Sequence, residues 1–190
     1  RVSHSQSLVE VGEREERIVK PYEKNIPKHV MMPAMAKARH VLVEERTKKL
    51  IEYAETSPLN TREDNGSKIG VITAGIAYEY AKEALGDKVN YLKLGMVWPI
   101  SHSLVRSFAA SVDRLVIVEE GEGFIEAFCR NLGLQTEGKN LFSNIGELSP
   151  NLVAKGLGIA YEEGTALEEP IPNRPPALCA GCPHRGIYYV

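Results

Sequence analysis

Two cysteines, Cys179 and Cys182, stand two residues apart in the run RPPALCAGCPHRGIYYV. Thiolates at this spacing can face one metal ion or one edge of a metal cluster, and Gly181 between them leaves the backbone free to curl around it. His184 is a candidate third ligand, and Arg185 a candidate anion contact. A closed metal site takes about four ligands, and nothing nearby in the sequence supplies the rest. Two reduced thiols or a redox pair are the alternatives. A thioredoxin-type pair fits less well, because that motif opens a helix after a strand and this one follows a Pro-rich coil. The third cysteine, Cys129, falls inside a helical pattern and reads as a small buried apolar residue.

No other stretch offers a complete catalytic constellation. There is no Ser-His-Asp order, no phosphate-binding loop, no catalytic carboxylate pair and no metalloprotease signature. His4, His29, His40 and His102 are scattered through coil and helix-edge positions. The run VIVEEGEGFIEA sets Gly121 and Gly123 between a strand pattern and a helix pattern, as a dinucleotide-binding turn would, but Glu126 stands where the third glycine belongs. Glu119, Glu120 and Glu122 would also crowd a pyrophosphate with like charge. These acids are better read as capping partners for the free amide groups of the following helix. No catalytic residue is assigned, and no cofactor-binding residue can be named.

The elements that would position such residues follow a clear rhythm. PAMAKARHVLVEERTKKLIEYAE places Ala36, Val43, Leu50 and Ala54 at helical spacing, with Glu44–Lys48 and Glu45–Lys49 pairs available on the wet side, which predicts a long amphipathic helix from Pro33 to Glu55. SPLNTREDNGS then reads as a turn-rich break. Three β-branched or apolar runs follow, KIGVIT, VNYLKL and RLVIVEE, each succeeded by a short helix pattern: IAYEYAKEAL, HSLVRSFAAS and FIEAFCRNLG. In the first of these helices Ile76, Tyr80 and Ala84 recur every four residues. Alternation of this kind predicts an α/β fold, a three-layer αβα sandwich around a mostly parallel sheet, preceded by the long helix. Loops at the carboxyl ends of the strands gather on one edge, here at Gly75, Gly95 and Glu119–Glu120, and form the usual ligand crevice. Beyond Leu134 the pattern weakens, with short strands possible at LQTEG and near GIAYEE.

Composition narrows the classes. The chain has 190 residues, 43% of them hydrophobic, and a net charge of −2 from 23 basic and 25 acidic side chains. That suits one well-buried domain with flanking segments, and it argues against nucleic acid or an anionic membrane as partner. No apolar stretch is long enough to cross a bilayer. Three cysteines do not describe a disulfide framework, so a reducing, cytoplasmic setting is expected. The absence of an initiator Met suggests a segment of a longer enzyme.

Taken in order, SHSQSLVEVGERE, VMMPAMAKARHVLVEERTKKLIEYAETSPLN, GVITAGIAYEYAKEAL, YLKLGMVWPI, RLVIVEEGEGFIE and RPPALCAGCPHRG resemble the middle of the alpha subunits of indolepyruvate ferredoxin oxidoreductases. The central part is similar, more distantly, to the C-terminal domain of transketolase. The resemblance implies an enzyme dependent on thiamine diphosphate, magnesium and iron–sulfur clusters. It would convert an aryl pyruvate, typically indolepyruvate, and coenzyme A to aryl-acetyl-CoA, carbon dioxide and reduced ferredoxin, with a second (beta) subunit and ferredoxin as partners. On this reading residues 1–12 are the tail of a pyrimidine-binding domain and 13–65 a linker with the long helix. Residues 66–168 would be the transketolase C-terminal-like domain, and 169–190 the start of the domain that binds thiamine diphosphate. Cys179 and Cys182 match a pair that ligates an iron–sulfur cluster in the full-length enzyme only. The chain by itself is then expected to be inactive. The alternative is a self-sufficient α/β module binding a small ligand, coenzyme A or a nucleotide, at Gly75, Gly95 and Glu120.

Overall fold

The computed structural model describes residues 10–16, 18–161, 182 and 184–188. By contact density the chain falls into two units, residues 1–50 and 51–190. In the first, the short helix α1 (Ile26–His29) carries Asn25 at its N-cap, whose side chain accepts from the Lys28 amide at 3.1 Å. The long helix α2 (Pro33–Thr56) starts at the predicted proline and runs into the second unit. Its apolar stripe is not buried as expected: of Ala36, Val43, Leu50 and Ala54 only Ala54 is, and Val43 stays 36% exposed. Its wet side carries a His40–Glu44 contact at 3.8 Å rather than the Glu–Lys pairs the spacing offers.

The second unit holds a four-stranded sheet of β1 (Thr61–Glu63), β2 (Ile69–Ala74), β3 (Asn90–Leu94) and β4 (Arg114–Val118), in the spatial order β1-β3-β2-β4. Strands β3, β2 and β4 are parallel, with Val71 level with Tyr91 and Val116. Strand β1 is antiparallel to β3 and lies within the run read as a turn-rich break. Three residues, Thr-Arg-Glu, carry no alternation long enough to signal a strand. What makes them one is the open edge of β3. Glu137, in the weak LQTEG pattern, forms a single parallel bridge with Val116, donating its amide to Leu115 O and accepting from Ile117 N.

Helices cover both faces. On one side α3 (Ile76–Leu85) and α6 (Pro150–Gly156) pack on Val71, Tyr91, Val116 and Val118; on the other α4 (His102–Ala109) and α5 (Phe124–Asn131) pack on Ile72, Leu92 and Ile117. Because both faces are covered, the central strands are apolar almost throughout, which is why they read as continuous runs. The buried stripe of α3 is Ala77, Ala81 and Leu85, one position on from the Ile76, Tyr80 and Ala84 series. Small alanines let the helix approach the sheet, while Ile76 remains 40% exposed at the rim. Ser101 and Ser149 cap α4 and α6, accepting from Leu104 N at 3.2 Å and Leu152 N at 3.3 Å, the second with Pro150 in the first turn. A last helix, α7 (His184–Tyr188), follows Cys182. Among the described residues no helix is long and apolar enough to cross a membrane.

Candidate functional site at the carboxyl edge of the sheet

Three parallel strands deliver their carboxyl ends to one edge, and each turn there has its own chemistry. After β2 the chain turns at Gly75, whose φ of +55° is one that side-chain-bearing residues rarely adopt. After β3, Gly95 donates its amide to Leu59 O at 3.1 Å; a Cβ at this position would lie 2.2 Å from that oxygen. The loop then passes through Trp98–Pro99, a cis peptide bond, to Ser101.

The turn after β4 is occupied by its own acids. Both carboxylate oxygens of Glu119 accept backbone amides from the first turn of α5, Ile125 N at 2.8 Å and Glu126 N at 3.0 Å. Glu119 is buried, and its carbonyl accepts from Lys139 Nζ at 2.7 Å. The capping role expected for these acids is therefore met by Glu119. A carboxylate sits where a helix N-terminus would otherwise hold a phosphate. Glu126, also buried, receives Lys139 N at 2.9 Å and the Arg130 guanidinium, and Glu120 accepts Leu148 N at 3.0 Å. Sequence reading noted Glu126 as a missing glycine and overlooked Lys139. The available signal was a lone lysine after the run of acids, which is too common to single out.

Around these acids the rim is apolar. Ile76 after β2, Val97 and Trp98 after β3, and Phe124 after β4 are 40%, 42%, 67% and 50% exposed, and the Trp98 and Phe124 rings lie 6.2 Å apart at 58°. At the end of β2 the Thr73 hydroxyl is buried without a hydrogen-bond partner among the described residues. Cys129, on the buried face of α5, has no exposed surface; burial first, then Glu119 and Glu126, push its thiol up to about 12, so it stays protonated.

A second polar cluster ties the edge strand β1 to α3. Glu63 accepts from the Tyr78 hydroxyl and from Lys82 Nζ at 2.7 Å, and Lys82 also reaches Asp87 at 2.8 Å. The bonds from Lys82 and then Tyr78 hold the Glu63 carboxyl below its ordinary range, while Asp87 and then Glu63 hold the Lys82 ammonium above its own. Lys82 and Lys93 sit over the Tyr91 and Tyr78 rings at 4.9 and 4.0 Å. Burial pushes the Tyr91 phenol up to about 12, and its hydroxyl donates to Gly86 O at 2.7 Å. This cluster is a structural tie, not a reactive centre.

At the other predicted site, Cys182 Sγ lies 3.4 Å from His184 Nδ1, and Arg185 N donates to Cys182 O at 3.0 Å. Cys179 lies outside the described residues. Two donors do not close a metal site. Among the described residues no three His, Cys, Asp or Glu side chains converge as metal ligands.

Comparison with known proteins follows the same lines. A family model described as "Indolepyruvate oxidoreductase domain" matches residues 60–178. Similar curated proteins include the indolepyruvate oxidoreductase subunit IorA of Methanothermobacter marburgensis, 37% identical, and those of Pyrococcus horikoshii, 33%, and Archaeoglobus fulgidus, 31%. In each case all of this chain aligns with 34% of the relative, so the chain spans about a third of the length of the curated proteins it matches. Among solved structures, a 2-oxoglutarate:ferredoxin oxidoreductase from Magnetococcus marinus, with 2-oxoglutarate, coenzyme A and succinyl-CoA bound, is 15% identical at a TM-score of 0.49, over 67% of this chain and 23% of that one.

Proposed function

Because the chain belongs to the indolepyruvate oxidoreductase domain family, whose match takes in the sheet and its helices, we propose that it is the non-catalytic middle domain of a thiamine diphosphate-dependent 2-oxoacid ferredoxin oxidoreductase. The whole enzyme would act on an aryl pyruvate with coenzyme A and pass electrons to ferredoxin. It would work with a second subunit in a reducing cytoplasm. Thiamine diphosphate with magnesium would supply the carbanion chemistry and iron–sulfur clusters the electron path. The described residues do not fit these groups: the α5 amides that could face a diphosphate are taken by Glu119, and Cys182 with His184 offers two donors. No step of the reaction is therefore assigned to them. Cys179 and Cys182 as cluster ligands belong to the full-length enzyme.

The observation that carries this reading is the Glu119 cap beneath an exposed rim of Ile76, Val97, Trp98 and Phe124. An edge whose buried carboxylate Glu119 is consumed by the α5 amides and whose rim is apolar suits packing against neighbouring domains better than holding an anionic cofactor. The domain would then orient the cofactor-holding parts of the enzyme. The test is an assay of indolepyruvate- and coenzyme A-dependent viologen reduction, with both cofactors added. The 190-residue chain should give no turnover, and the full-length subunit with its partner should give it. Turnover by the chain alone would overturn the reading. Saturable protection of the turns at Gly75, Gly95 and Glu120 from hydrogen exchange by coenzyme A would favour a ligand-binding module instead.

A further inference from the structure

Between β3 and α4 the chain has no strand or helix to settle its backbone, so its position depends on what its polar groups bond to. The bonds that fix it run to the end of α2. Gly95 N donates to Leu59 O at 3.1 Å, and Met96 N donates to Asn60 Oδ1 at 3.0 Å. The other half of the same side chain faces the helix, where Asn60 Nδ2 donates to Ala54 O at 2.8 Å. That carbonyl needs an outside donor, because the residue four positions on is Pro58, which has no amide hydrogen. One side-chain amide thus joins the start of the loop to the last turn of α2.

The far end of the loop is tied to the same turn. Ser101, 1% exposed, donates to Glu55 Oε1 at 3.3 Å, and Ser103 donates to the same oxygen. A serine has one hydrogen to give. With it committed to Glu55, the Ser101 oxygen is left to accept Leu104 N and cap α4. Two anchors therefore bracket Val97 and Trp98, and both lie on residues 54–60. The turn after β4 differs, since Glu119 ties it to its own helix. Ala54 is fully buried, so this end of α2 is fixed in the domain that carries the sheet. We infer that the end of α2 and the β3–α4 loop form one mechanical unit, in which Asn60 and Glu55 are positioning residues that set where Val97 and Trp98 stand on the rim. Anchors on one helix end share the work of holding the loop, so losing either loosens the other. What this does for the enzyme rests on the reading above, in which the rim packs against neighbouring domains; the coupling itself does not.

The test uses the 190-residue chain without cofactor or partner, so its outcome is separate from that of the turnover assay. Two readings are taken: amide hydrogen exchange at Gly95, Met96 and Leu104, and the anisotropy decay of Trp98, the single tryptophan of the chain. Glu55→Ala removes only the serine anchor, yet it should speed exchange of the Gly95 and Met96 amides roughly fivefold or more. Asn60→Ala removes only the anchor at the start of the loop, yet it should speed exchange of the Leu104 amide by a similar factor. Both should enlarge the fast component of the Trp98 decay. Should Asn60→Ala fail to fold, Asn60→Asp keeps the acceptor for Met96 N, loses the donor to Ala54 O, and should speed Leu104 exchange in the same direction. Glu55→Gln keeps an acceptor for the two hydroxyls and should leave both readings near those of the unaltered chain. Ser149→Ala, which removes the cap of α6 on the opposite face, should lower the urea midpoint and move neither reading. Exchange quickened only at the anchor that each substitution touches, or Trp98 motion unchanged in both alanine variants, would overturn the inference. So would a Trp98 response to Ser149→Ala as large as that to Glu55→Ala, because lost stability alone would then account for it.

Discussion

The carboxylate of Glu119 lies 2.8 Å from the backbone nitrogen of Ile125, and its second oxygen takes the next amide at 3.0 Å. One side chain at the end of β4 thus closes the first turn of α5 and fixes the turn between them. Glu119→Ala leaves two buried amides without an acceptor, and bonds to a charged group are the strong ones, so a loss of about 2–3 kcal/mol is expected. Glu119→Gln keeps one acceptor and should cost roughly half as much. Urea denaturation of the three proteins measures this, and equal midpoints would show that the cap is dispensable.

Two glycines should fail for different reasons. At Gly95 an added Cβ would meet the Leu59 carbonyl at 2.2 Å, so Gly95→Ala should cost about 2–3 kcal/mol by forcing the β3 turn away from the turn that follows α2. At Gly75 nothing lies within 4 Å of an added Cβ, but the φ of +55° makes Gly75→Ala cost about 1 kcal/mol through the backbone alone. Melting temperatures that rank the two in the opposite order would contradict this account.

The Glu63–Tyr78–Lys82 tie gives stability a sign on each side of neutrality. Glu63 and Glu137 are held below the ordinary 4.5, the first by Lys82 and the second by Arg114. Their contribution is present above that value and is lost as pH falls through the lower values of the folded state. Lys82 and Tyr78 are held above 10.5 and 10.0, so their contribution is present below those values and is lost as pH rises past them. Denaturant midpoints measured across pH should fall at both ends. Glu63→Gln should flatten both limbs, and an unchanged profile would show that the cluster is too solvated to matter.

Cys129 should be chemically silent. Its thiol is fully buried and pushed up to about 12, so it should resist a thiol reagent in the native protein and react only after denaturation, whereas the partly exposed Cys182 should react at once. Peptide mapping by mass spectrometry distinguishes them, and native labelling of Cys129 would show that α5 opens readily.

What the sequence made legible was governed by burial. The three parallel strands are covered on both faces, so their apolar runs stand out, and the alternation with α3, α4 and α5 follows from them. The acids after β4 were legible as caps because charge alone argues against a phosphate there. Strand β1 was not legible, since Thr61–Glu63 is a strand only because β3 offers it an edge. Nor was the burial of α3, where small residues one position along from Ile76 make the contact. Helix α2 has the right spacing, but spacing says only which face would be buried, not whether anything covers it. The Glu126–Lys139 contact joins residues thirteen apart through a loop without periodicity, and nothing local announces it.

On the proposed reading this domain positions a cofactor it does not hold. Titration calorimetry of the 190-residue chain with thiamine diphosphate and magnesium tests it most directly. The account predicts no saturable heat at micromolar to millimolar cofactor, and a stoichiometric isotherm with micromolar affinity would contradict it.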